Sequence, residues 1–170
     1  MAKGRAIRKL LPYAESGDRE GAACVLKKDG TEFDFKVGDQ ERVALNVPED
    51  EACAIFHSHP NSYPHSAMDF MALLGQPSIE DSYLVCRDRI YCLRKPQHFS
   101  PVQKLREVAI EDDYEATLIE VGTTMAMASE ELETEDAVLS LCIEATSRLA
   151  QKYGLEFYRE AIDHATSGTE

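Results

Sequence analysis

The stretch of this sequence best equipped for chemistry is Phe56-His57-Ser58-His59-Pro60, which runs on through a polar loop to Ser66-Ala67-Met68-Asp69. Two histidines two residues apart, at the end of an apolar run, share a face if that run is a strand, because strand side chains alternate with period two. Both imidazoles then reach one ion. Pro60 stops the strand, and Asn61, Ser62, Tyr63, Pro64 and His65 carry the chain to a short helix. Ala67, Phe70, Met71 and Leu74 repeat at i, i+3, i+4, i+7 and define its expected buried face. Asp69 lies about 200° round from Ala67, in the first turn and off that face. Two imidazoles and one carboxylate form a common catalytic zinc set with the fourth position left to water. One Zn2+ on His57, His59 and Asp69 is therefore the expected cofactor. Read blandly, Ser66-x-x-Asp69 is a capping box, although Glu or Gln is the usual residue at its last position. His65 is expected at the surface, with entry into the metal shell as the alternative; His98 and His164 are read as incidental.

Hydrolysis around such an ion also needs a group that moves protons. Glu20 is one candidate, since it precedes the apolar run Gly21-Ala22-Ala23-Cys24-Val25-Leu26 and would enter a core strand. Glu15, at the polar end of the first helix, is its rival. Position alone leaves both open.

The elements that must hold these residues follow from pattern. Ala6, Ile7, Leu10, Leu11 and Ala14 have helical spacing, with Pro12 as the awkward member. Residues 20–37 read as a hairpin about Lys28-Asp29-Gly30, and Val43 to Val47 as a further strand. Ala52 to Phe56 is a buried strand leading into His57, and 82–86 and 89–93 are two more. Beyond Lys95-Pro96 the character becomes helical. Ser100-Pro101 has the composition of a helix start, residues 114–131 are expected to be helical, and Val138, Leu141, Cys142, Ala145 and Leu149 form a stripe.

Composition bounds the rest. The chain has 170 residues, 44% hydrophobic and 29% charged, enough for one compact domain with a real core. Its net charge of −13 is uneven: residues 1–100 hold 15 acids and 13 bases, residues 101–170 hold 16 acids and 5 bases. Phosphate backbones would repel such a chain, so nucleic acid is not an expected partner. No apolar run approaches the ~20 residues that span a bilayer. Lys3, Arg5, Arg8 and Lys9 have no continuous apolar stretch behind them, so no secretory signal or membrane association is expected and the location is cytoplasmic. Cys24, Cys53, Cys86, Cys92 and Cys142 are odd in number, lack CxxC spacing and read as reduced thiols.

An upstream glutamate, HxH, a spacer and then SxxD is the signature of the JAMM (JAB/MPN) metalloproteases, and the chain resembles them in Glu20, His57-Ser58-His59-Pro60 and Ser66-Ala67-Met68-Asp69. The family's glutamate opens a strand reading roughly E-x-C-G-x-L, and E-G-A-A-C-V stands in that place. The family spacer between the second His and the Ser is usually seven residues; Pro60 to His65 gives six. The resemblance covers about residues 1–95. It implies an α/β fold with a curved mixed sheet flanked by helices, of the MPN, cytidine-deaminase-like kind. Residues 1–96 would be the zinc hydrolase core and 97–170 a C-terminal helical extension, packed on that domain or used for homodimer or partner contact. It further implies His57, His59 and Asp69 as zinc ligands, Ser66 as oxyanion stabiliser and Glu20 as general base and then acid. The implied reaction is hydrolysis of peptide or isopeptide bonds, often at the C-terminus of a ubiquitin-like modifier. A scaffolding subunit without turnover, and a peptidase acting on another amide such as a peptidoglycan peptide, are the alternatives.

Overall fold

The computed structural model describes residues 2–16, 20–39, 43–59, 61–97, 99, 107–128 and 134–162. Its centre is an open, mixed six-stranded sheet in the order β2-β1-β3-β4-β5-β6. The strands are β1 (Glu20–Lys27), β2 (Glu32–Asp39), β3 (Cys53–Ser58), β4 (Ile79–Val85), β5 (Arg89–Arg94) and β6 (Glu156–Ala161). β3 and β4 are parallel; every other neighbouring pair is antiparallel. The helices are α1 (Ala2–Glu15), α2 (Ala67–Gly75), α3 (Glu107–Ala128) and α4 (Glu135–Lys152).

Strand alternation divides the core into two. Cys24, Phe56, Tyr83 and Cys92 point to one face and pack with Ala6 and Leu10 of α1. Val25, Ile55 and Leu93 point to the other, beneath Phe70 and Leu73 of α2, Ile110 of α3 and Leu149 of α4. α1 buries Ala6, Leu10 and Ala14, one residue per turn, and keeps Pro12 on its exposed side. The carbonyl that Pro12 leaves without its helical donor belongs to Arg8, also an exposed residue. The β1–β2 turn needs Gly30 twice over. Its φ is +84°, and a Cβ there would stand 2.6 Å from the Ala2 side chain.

Several expectations meet the structure as found: the 20–37 hairpin, the strand into His57, the two later strands, and five free cysteines, four of them buried. Others are corrected. Val43 to Val47 is not a strand, because side chains of β2 take its backbone groups. Asp34 Oδ2 accepts from Asn46 N–H at 2.7 Å, and Lys36 Nζ donates to the Ala44 carbonyl at 2.8 Å. α2 buries Phe70, Leu73 and Leu74, with Ala67 and Met71 only half-buried, so its inner face is rotated towards Leu73. Of the Val138 to Leu149 stripe, Ala145 and Leu149 are buried and Val138 is exposed.

The part expected to be wholly helical also contributes a strand. Gly154 (φ +70°) ends α4, and β6 then pairs antiparallel with β5, Tyr158 opposite Cys92. α3 is continuous over Glu107–Ala128; the expected helix start at Ser100-Pro101 lies outside the described residues. Where α3 passes α4, a Cβ on Gly122 would meet Leu141 Cδ1 at 3.2 Å. No described helix is long and apolar enough to cross a membrane.

Candidate metal centre

β3 carries His57 and Ser58 at its C-terminal end, beside its parallel neighbour β4, and the chain crosses between the two through α2. Ends of parallel strands are where open α/β sheets leave room for ligands. Alternation aims His57 at the α2 face, opposite Ala23 of β1, while Phe56 and Ser58 aim at the α1 face. The β1–β3 ladder stops at this pair. Beyond it the Ser58 hydroxyl accepts from the Ala22 N–H at 2.9 Å, in place of a backbone carbonyl.

Ser66 is the N-cap of α2, with extended φ −84° and ψ 172°, and Asp69 stands at N3. Both Ser66 donors go to one carboxylate oxygen: N–H to Asp69 Oδ2 at 2.7 Å and the hydroxyl to the same atom at 2.9 Å. The capping reading and the ligand reading are thus compatible, because each uses a different oxygen. Oδ1 lies 2.9 Å from His57 Nε2. Beyond this ion-pair contact Nε2 is buried with no hydrogen-bond partner, and His59 Nδ1 is likewise buried without one. Two buried imidazole nitrogens without partners beside a carboxylate are the mark of donors aimed at a shared third point.

His57, His59 and Asp69 each offer a ligand atom, all within 4.8 Å of one another. Tetrahedral zinc with bonds of about 2.0–2.1 Å sets its ligands roughly 3.3 Å apart, within reach of such a set. Electrostatics agree with the fit. Burial, reinforced by His57, lowers the His59 pKa to about 4, so the lone pair of one ring nitrogen is available at neutral pH. Burial alone would push the Asp69 carboxyl up, but His57, His65 and His59 together outweigh it and hold the pKa well below the usual carboxylate range. These residues could hold a metal ion.

The centre opens into a cleft of about 590 Å3. Gly21 and Ala23 of β1, Val43 and Leu45 of the irregular segment, and Met68 and Ala72 of α2 line it. A larger cavity of about 720 Å3, lined by Lys28, Arg94 and Lys95 among others, contains none of the centre's residues.

Glu20 is the first residue of β1, paired with Asp39 of β2; its side chain lies outside the described residues. Its neighbour Gly21 lines the cleft. Glu15 ends α1 and is exposed. His98 and His164 lie outside the described residues. The expectation of a surface His65 is overturned: the residue is 0% exposed, its Nε2 3.1 Å from the Ser82 carbonyl, because α3 closes over the loop that carries it. Sequence reading also missed Ser82 and Tyr114 as its surroundings, and Ser58 as the acceptor for the Ala22 N–H. None of them carries a local signal, since each acts through a partner distant in the chain.

Fold and site together define a mixed α/β protein with a two-histidine, one-carboxylate centre at the end of a parallel strand pair. Comparison with known proteins adds nothing to that: no family model matches the chain, and neither a curated protein nor a solved structure matches it significantly.

Proposed function

We propose that the chain is a zinc-dependent hydrolase of peptide or isopeptide bonds, of the JAMM type that its motif resembles. The observation that carries this is the convergence of His57, His59 and Asp69, with two imidazole nitrogens left without partners, at the foot of an open cleft. The fold supports it. The strand opened by Glu20 is the direct neighbour of the strand bearing His57, and the helix bearing Asp69 follows that second strand in the chain. Glu15 is less suited, since α1 packs on the opposite face.

Zinc in this set would supply a water of lowered pKa and an electrophile for the substrate carbonyl. The protein's own groups do the rest. Glu20 takes the water's proton and returns it to the departing nitrogen, which for an isopeptide is a lysine amine. The Ser66 hydroxyl turns from Asp69 Oδ2 to the carbonyl oxygen as charge grows there. It can leave without orphaning that carboxylate oxygen, because the Ser66 N–H still donates to it. No covalent bond to the enzyme forms.

Apolar and small residues along the cleft suit an extended, largely uncharged segment, and the C-terminal tail of a ubiquitin-like modifier is the substrate we favour. The test has two arms. Purified protein loaded with zinc should hold one ion per chain and His59→Ala none; absence of stoichiometric zinc in the parent refutes the metal centre. Glu20→Gln should keep the zinc and lose turnover by about 10²–10⁴-fold on ubiquitin-like fusions or plain peptides. Unchanged turnover reassigns the base.

A further inference from the structure

Of Ser58, His65, Ser82 and Thr146, the buried polar residues among those described, His65 is the largest, and metal binding by His57, His59 and Asp69 leaves it unexplained. Its ring is 0% exposed and stands 6.1 Å from the ring of His57. Nε2 lies 3.1 Å from the Ser82 carbonyl. A carbonyl only accepts, so Nε2 carries the proton and Nδ1 is bare; the ring is uncharged. From the other side, Tyr114 of α3 donates its hydroxyl to the His65 carbonyl at 3.3 Å. An apolar side chain would fill this place without the desolvation cost of an imidazole.

What the imidazole does follows from its neighbours. The next residue, Ser66, holds Asp69 Oδ2 with both its donors, and the other oxygen of that carboxylate meets His57. A chain of contacts thus runs from the β4 backbone through His65 to Ser66 and Asp69. β4 lies directly beside β3, which bears His57. Fixing His65 to β4 therefore fixes the first turn of α2 relative to the end of β3. The six residues from Pro60 to His65 form no helix or strand over their described part, so they supply no such rigidity themselves.

We infer that His65 is a positioning residue, a buried hydrogen-bonded anchor that seats Ser66 and Asp69 against His57 and His59. The inference builds on the metal reading for its consequence but not for its geometry, and the experiment separates the two. Amide hydrogen exchange on the metal-free protein is measured for the parent, His65→Leu and His65→Gln, followed by titration with Co2+. In the leucine variant the amides of Ser66, Ala67, Asp69 and Phe70 should exchange about tenfold faster while those of β4 and β5 keep their protection. Co2+ affinity should fall by about 10–100-fold, the cost usual for losing an outer partner of a metal site, with a changed visible spectrum. Glutamine, which restores a donor to the Ser82 carbonyl, should recover most of both.

Unchanged exchange at Ser66–Phe70 in the leucine variant, or a glutamine variant that behaves like leucine, overturns the anchor. The ring 15N spectrum of the parent decides independently if a variant fails to fold: a proton on Nδ1 rather than Nε2 between pH 6 and 8 also overturns it. A parent that binds no Co2+ refutes the metal centre, while exchange still decides the anchor.

Discussion

The two faces of the sheet are built from the same strands and treat polar atoms in opposite ways. On the α1 face, Phe56 stacks on Tyr83 with ring centroids 4.5 Å apart, and the Ser58 hydroxyl accepts from Ala22 N–H. On the α2 face, His57 Nε2, His59 Nδ1, His65 Nδ1 and Ser82 Oγ are buried with no hydrogen-bond partner; these are the four such side-chain atoms among the described residues. Each unsatisfied group costs about 1–3 kcal/mol. Two of these atoms, His57 Nε2 and His59 Nδ1, belong to the candidate ligand set beside Asp69, so part of the stability given up on this face is there for a metal ion to recover.

This contrast can be broken, most forcefully through the sealed face. Phe56→Ala should cost about 3–5 kcal/mol in urea unfolding while the folded fraction binds added Zn2+ as the parent does. Loss of that binding in the folded fraction would mean that the two faces are not separable. Ser58→Ala should cost about 1–3 kcal/mol, because it orphans the buried Ala22 N–H. One residue along, His59→Leu should abolish zinc yet leave the metal-free protein at least as stable as the parent. A large destabilisation by that change would show His59 to be a structural residue.

Acid titration sharpens the same comparison. The pKa of His59 falls from 6.5 to about 4 and that of His65 to about 3, both first by burial. The unfolded chain therefore takes up protons that the folded chain refuses. Stability carried by these groups is complete above about pH 6.5 and is lost as pH falls through 4 towards 3. Asp69, also depressed, adds its loss below the ordinary carboxylate range. Thermal unfolding of the metal-free protein should follow this slope, and His59→Leu should flatten its upper part. A parent profile flat from pH 7 to 4 would mean that the imidazoles are solvated.

Much of the candidate centre was legible because its spacing is local. HxH at a strand end and SxxD at a helix start each place their side chains by the period of one element, and the structure brings them together at 2.9 Å between His57 and Asp69. His65 was illegible for the opposite reason. It sits in an irregular loop, where no period says which way a ring points, and its burial depends on Ser82 of β4 and Tyr114 of α3. Val43 to Val47 has strand composition, yet Asp34 and Lys36 capture its backbone. β6 pairs at the sheet edge with all of its residues exposed or half-buried, so no strong apolar alternation announced it.

The amino-acid order by itself determined which residues share an element and a face: His57 with its neighbour but one, Asp69 in the first turn of α2, Gly30 at a turn that only glycine fits. Tertiary structure alone decided which face is sealed and which is open, that a loop histidine is buried, and that the last strand joins the sheet. The physical reason is range. Backbone geometry and side-chain period act over a few residues, whereas burial and hydrogen-bond satisfaction depend on whatever the rest of the chain lays over a given spot.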